Sequence, residues 1–300
     1  MPTQTVLISG AANGLGAAFL EAYRKRPDTH IIAIDKSPIP GEYDNVQTFP
    51  VDITNETSIN DLAKRITDQP LDLIIHSAGI RGLVPHLEAS LHGDLDACES
   101  LAAMDLATLT QAFHLNAAGT FLLFRALLPN LRLAPDPKVI VMSSRMGSLA
   151  NNATGNRAAG AAYAYRASKA ALNAIVRSFV VDVPGVTWVL CHPGRVETKL
   201  VKWREEGAIG AEESVEGLVP LIAGWGREDS GGFYDRFGEV IPWAEPAQED
   251  GDEDEDEDNE KLRGAREQNS RSEIKHEMVS VVEELPRYNN RLASPQDVKA

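Results

Sequence analysis

The chain has 300 residues, 43% of them hydrophobic, and a formal net charge of −15 at pH 7. That length supports one full α/β domain with a sizeable core rather than two large domains, and an acidic chain without a basic stripe would repel nucleic-acid phosphates and anionic membrane surfaces. The two cysteines, Cys98 and Cys191, stand far apart and outside any metal-ligand spacing, which excludes a disulfide framework, predicts no metal, and suits a reducing compartment, the cytoplasm.

Taken in chain order, strands are predicted at 5–9, 30–35, 46–50, 71–76, 138–143 and 187–191, with a shorter one at 232–234. Helices are predicted at 15–25, 58–66, 106–115, 119–131, 163–180 and 212–223. Strands that are nearly all apolar, joined by crossover helices, predict a doubly wound (Rossmann) parallel sheet in a single catalytic domain over residues 1–243. No apolar stretch reaches membrane-spanning length and no signal-peptide pattern is present, so a soluble protein is expected. After Trp243 the composition changes. The stretch 249–260 holds ten acidic residues in twelve positions, so residues 244–300 read as an acidic, mostly disordered tail. Ile274, Met278, Val281 and Leu285 recur at helical spacing after Ser272. A solvated tail with residual helicity accounts for them better than a partner-docking helix.

The first chemical motif, Ser9-Gly10-Ala11-Ala12-Asn13-Gly14-Leu15-Gly16, follows a predicted strand and opens a helix. That is the setting of a dinucleotide pyrophosphate: Gly10 permits the turn, Gly14 and Gly16 allow close approach, and the helix N-terminus offers unpaired N–H groups. Asp35 ends the second strand 25 positions after Gly10, where a carboxylate can accept hydrogen bonds from the adenosine ribose and repel a 2′-phosphate, favouring NAD. Lys36, pointing inward in its place, would admit NADP. Asp52 and Ile53 are placed to border the adenine, or else Asp52 simply initiates a helix.

Tyr165 and Lys169 are four positions apart at the start of a helix. On one helix face the ammonium can favour tyrosinate, making the phenol a usable proton donor and acceptor near neutral pH. Ser144 comes at the carboxyl end of a buried-type strand, where open α/β sheets place ligands, with Ser143 as the alternative and a turn-forming role as the ordinary reading. Asn116 lies where one helix pattern gives way to the next, so its amide could hold a water and link Lys169 to solvent.

Together these motifs resemble the classical short-chain dehydrogenase/reductase family over residues 3–243. Ser9-Gly10-x-x-x-Gly14-x-Gly16 looks like its cofactor loop, with Asn13 and Leu15 inside it. Asn116, Ser144, Tyr165 and Lys169 look like its catalytic tetrad, with Tyr165 and Lys169 also touching cofactor. Ala78 and Gly79, in His76-Ser77-Ala78-Gly79, stand at its conserved-type Asn-Asn-Ala-Gly position, and Pro193, Gly194, Val196 and Thr198 look like its nicotinamide-side segment. Finer resemblance points to the C-factor-like carbonyl reductase branch, because Ser144 and Tyr165 are 21 positions apart. The resemblance implies hydride transfer between NAD, or NADP, and a carbonyl or alcohol, with Tyr165 exchanging the proton. It also implies a homodimer or homotetramer joined through the helices at 119–131 and 163–180. The departures are His76, the absence of a basic residue at Asn13, and a long stretch at 81–105. Arg145 and Arg195 would favour an anionic substrate if they face the site, and carry no such meaning if they face solvent. The rival from another class is an NAD(H)-binding sensor or interaction protein on the same fold. An epimerase or dehydratase that uses the nicotinamide only transiently is a further enzyme reading.

Overall fold

The structure, a computed structural model, describes residues 4–244 apart from positions 92, 157, 202, 204 and 205. The acidic block at 249–260 and the helical spacing after Ser272 lie outside the described residues. The strands are β1 (Gln4–Ser9), β2 (Thr29–Asp35), β3 (Val46–Pro50), β4 (Leu73–His76), β5 (Lys138–Met142), β6 (Thr187–His192) and β7 (Phe233–Asp235). They form one parallel sheet in the order β3-β2-β1-β4-β5-β6-β7. The helices are α1 (Gly14–Arg24), α2 (Glu56–Arg65), α3 (Pro85–Ser90), α4 (Leu95–Glu99), α5 (Leu106–Phe113), α6 (Thr120–Leu133), α7 (Tyr163–Asp182) and α8 (Ala211–Gly224).

Alternation along the strands feeds two cores, because successive side chains leave opposite faces. Leu7, Ile32, Ile74, Val139 and Trp188 pack with Leu62, Phe124, Leu172 and Val176 from α2, α6 and α7. Val6, Ile8, Ile31, Ile75 and Val189 pack with Phe19, Tyr23, Val215 and Leu218 from α1 and α8. Trp188, fully buried, stacks on Phe179 at 4.8 Å between ring centroids. β3 departs from the doubly buried expectation. It is the sheet edge and largely exposed, so Gln47 and Thr48 cost nothing there, and Pro50 sits at its last position, where a missing N–H is tolerated.

The strand order reverses between β1 and β4, which opens a crevice beyond their carboxyl ends. Four further differences from expectation matter for that crevice. Helix α2 begins two residues early because the Asn55 side chain accepts from the Thr57 and Ser58 N–H groups. The break expected around Asn116 is instead a single π turn, His114–Gly119, that joins α5 to α6 without interruption. The long stretch after Arg81 folds into the short helices α3 and α4. Finally, Gly160, Ala161 and Ala162 all adopt left-handed backbone conformations (φ 78°, 45° and 48°) immediately before α7. Such a run is costly for alanine. It is held by Ala162 N–H donating to Glu99 O (3.0 Å) and by Arg166, which donates to the carbonyls of Ala158 and Gly160.

Candidate active site

The β1–α1 turn builds the floor of the crevice. Gly10 (φ 70°) lies so close to the chain after β4 that a Cβ there would sit 2.9 Å from Ala78 N, and one on Gly16 would sit 2.1 Å from Gly10 O. Only glycine allows this approach. Helix α1 starts at Asn13 with no side-chain cap and no acidic residue in its first turn, so its N–H groups and dipole favour an anion. A cavity of about 460 Å³ opens here, lined by Gly10, Asn13, Gly14, Leu15, Asp35, Lys36, Asp52, Ile53, Ala78, Gly79 and Thr198. Asp35 is fixed at its edge, accepting from Ala12 N (3.1 Å) and Ser37 N (2.8 Å). Asp52 accepts from the Thr54 hydroxyl (2.6 Å) and N–H (2.8 Å), and these two bonds hold its carboxyl below the usual range. Its side chain thus shapes the turn into α2 while bordering the cavity.

A second cavity, of about 640 Å³, contains Ser144, Tyr165, Pro193, Gly194 and Val196. Leu15, Thr198 and Leu200 line both cavities, so the two meet there. Tyr165 and Lys169 project from the first turns of α7, and both are buried. The Lys169 Nζ donates to Met142 O at the end of β5 (2.9 Å) and lies 5.7 Å from the Tyr165 ring centroid. Burial lowers its pKa from the ordinary 10.5 to about 8, which leaves the ammonium mostly charged at neutral pH.

Ser144 lines the second cavity and also accepts from Met146 N (3.2 Å), so it forms the turn 145–147 as well. Ser143 instead donates to Asn173 Oδ1 (2.6 Å). That turn reaches α7 because Gly147 has no side chain: a Cβ would lie 2.9 Å from the Lys169 backbone. Asn116 is spent differently from the expectation of a water held near Lys169. Its amide pairs with the backbone of Ile80, accepting from N–H and donating to O at 2.8 Å each, and also donates to Ser168 Oγ (2.9 Å). Asn116 Oδ1 and Lys169 Nζ nevertheless flank the same spot, 3.2 and 3.6 Å from where a Gly79 side chain would begin.

Sequence reasoning missed one pair beside Tyr165. Arg81 binds both Glu99 oxygens (2.7 and 2.8 Å), with Glu99 almost wholly buried, and places its guanidinium 4.8 Å from the Tyr165 ring centroid. Nothing in the spacing signals a contact between a loop residue and a five-residue helix. Both Arg145 and Arg195 do line the second cavity, but Arg145 is paired with the buried Asp235 (3.0 Å), and Arg195 donates to Glu206 O (3.0 Å).

Relatives extend the picture. C-signal of Myxococcus xanthus is 37% identical over 183 residues, spanning 60% of this chain and 98% of the relative. The 1-hydroxy-2-glutathionyl-2-methyl-3-butene dehydrogenase of Rhodococcus sp. (strain AD45) is 29% identical over 247 residues, 80% of this chain and 99% of that one. Among solved structures, an NADPH-bound carbonyl reductase from chicken fatty liver superimposes with a TM-score of 0.68 at 24% identity, covering 81% of this chain and 95% of its own. A carbonyl reductase from Pseudomonas aeruginosa PAO1 does so with a TM-score of 0.62 at 26% identity, covering 80% and 100%. The family model described as short chain dehydrogenase matches residues 4–208. With its parallel sheet, glycine turn and paired cavities, the chain belongs to the short chain dehydrogenase family.

Proposed function

We propose that this family member moves hydride between a nicotinamide and a carbonyl or secondary alcohol, with Tyr165 as general acid/base. The observation that carries the reading is the junction of the two cavities at Leu15, Thr198 and Leu200, with Tyr165 facing one side and the uncapped α1 N-terminus the other. The bound dinucleotide supplies the hydride or takes it up. The glycine turn and α1 suit its pyrophosphate, Asp35 and Asp52–Ile53 its adenosine half, and Val196 and Thr198 its carboxamide end.

Tyr165 gives a proton to the carbonyl oxygen in reduction and takes it back in oxidation. Lys169, a buried cation near the phenol, favours tyrosinate and so keeps that transfer within reach near neutral pH. Ser144 donates its hydroxyl proton to the substrate oxygen as charge develops on it, while its own oxygen still accepts from Met146 N. Asn116 braces the chain at Ile80 rather than meeting substrate. NAD is the favoured cofactor, because Asp35 lines the cavity, held by Ala12 N and Ser37 N, and a carboxylate on that wall would repel a 2′-phosphate. Lys36 on the same wall is the feature that would admit NADP. The two buried, unpaired cysteines suit a cytoplasmic setting. A homodimer would use the exposed Phe121 of α6 and Tyr163 of α7.

The test is NADH and NADPH oxidation against a panel of aldehydes and ketones, with the parent and Tyr165→Phe. Turnover by the parent, lost in the variant while dinucleotide binding persists, supports the reading. Equal turnover by both rejects Tyr165. Dinucleotide binding without turnover of any carbonyl favours the sensor alternative.

A further inference from the structure

We propose that His76 is a positioning residue that ties the dinucleotide turn to the π turn carrying Asn116, through one fixed imidazole tautomer. His76 ends β4 and is buried, beside Ser9 of β1 in the parallel register. Its Nδ1 lies 2.8 Å from Ser9 Oγ, and its Nε2 lies 2.8 Å from Thr120 Oγ1. Phe124 meets the ring edge-on, with 5.2 Å between centroids, which fixes its plane.

The hydrogen bonds around it decide where each proton lies. A hydroxyl has one proton to give. Thr120 spends its own on Asn116 O (3.0 Å), which can only accept, so Thr120 Oγ1 must receive the proton on His76 Nε2. Neutral imidazole then has a bare Nδ1, which accepts from Ser9 O–H. Ser9 Oγ in turn receives the N–H groups of Ser77 (3.1 Å) and Ala78 (3.3 Å). The chain is directional from Ser77 and Ala78 to Ser9, while from His76 it runs through Thr120 to Asn116. Burial and the Lys169 charge keep the ring neutral, with its pKa lowered to about 3.

Each end reaches a different part of the site. At the Ser9 end, the Ala78 N–H group is the backbone against which Gly10 packs in the dinucleotide cavity. At the Thr120 end lies the carbonyl of Asn116, whose side chain holds Ile80. An asparagine at 76 could reproduce only the nearer, Nδ1-side acceptor. A glutamine could extend an N–H to the Nε2 position but would lose that acceptor.

The test therefore pairs His76→Asn with His76→Gln; its kinetic arm rests on the proposed oxidoreductase activity. One hydrogen bond is worth about 1 kcal/mol, or roughly fivefold. His76→Asn should lower kcat by about that factor and leave NADH affinity near the parental value. For His76→Gln the loss of about fivefold should fall on NADH affinity instead. Selective ¹⁵N-histidine NMR of the parent without dinucleotide should show Nε2 protonated and Nδ1 bare at pH about 7. In ¹H–¹⁵N spectra of uniformly ¹⁵N-labelled parent and variants, the Asn116 side-chain amide should move in His76→Asn and stay in His76→Gln.

An Nδ1-protonated or cationic His76 in the parent overturns the proposal, even if both variants fail to fold. So does an equal loss of kcat and NADH affinity in the two variants. Absence of turnover with every carbonyl would refute the proposed function alone, because the tautomer, NADH affinity and the Asn116 resonance still decide this one.

Discussion

Replacing Lys169 with methionine removes an ammonium that folding takes out of water, and the effect on stability has a defined pH dependence. Desolvation lowers the lysine pKa from 10.5 in the ordinary state to about 8 in the fold. Between those values the unfolded chain holds a proton that the folded chain has released, so stability rises with pH across the window. Below pH 8 both states carry the charge and the burial penalty stands in full; above 10.5 neither does and it is gone. At about 1.4 kcal/mol per pKa step, the relief amounts to about 3 kcal/mol. Guanidinium titrations of the parent and Lys169→Met at matched pH isolate this lysine, since shifts common to both cancel. The parent should gain about 3 kcal/mol relative to the variant between pH 7 and pH 10.5. A difference that stays flat across that range would refute the assignment of Lys169 as a buried cation.

Other perturbations have equally definite outcomes. Tyr165→Phe should cut carbonyl turnover by about 10²-fold or more while NADH titration by fluorescence shows unaltered affinity. Asp35→Ala should strengthen NADP binding relative to NAD, measured by calorimetry, because it removes the charge opposing a 2′-phosphate. Gly16→Ala should abolish dinucleotide binding and lower Tm, since its Cβ meets Gly10 O at 2.1 Å, whereas Gly185→Ala, with open space around it, should leave both unchanged. Glu99→Ala should cost on the order of 2–3 kcal/mol in chemical denaturation by removing the two charge-assisted hydrogen bonds from Arg81. Replacing both residues with hydrophobic ones of similar volume should recover most of that loss.

The sheet was legible because β1, β2, β4, β5 and β6 are covered on both sides and therefore read as apolar runs. The edge strand β3 matches its predicted bounds but not the apolar reading given with them, since Gln47 and Thr48 break the run on an exposed edge. Helices α3 and α4 went unseen because six and five residues are too few to display a 3.6-residue period. At the site, Tyr165 and Lys169 share one helix, so their relation follows from spacing alone. The Asn116–Ile80 pairing and the Arg81–Glu99 bridge join residues 36 and 18 positions apart, and only the folded chain determines such partners. The left-handed alanines were equally hidden, since that conformation is imposed by Glu99 and Arg166 against the preference of the residue itself.

The π turn between α5 and α6 carries a consequence for any effort to regularise this protein. It adds a residue to one helical circuit, and each residue of an α-helix advances the side-chain direction by about 100°. Forcing 114–119 into an ordinary α-helix with every residue kept would rotate everything on one side of it by that angle. Asn116 could not then face Ile80 while Phe124 and Leu127 still faced the sheet. The irregularity is a phase adjustment between two halves of one rod, which lets a single continuous element serve a polar bridge and an apolar core at different azimuths.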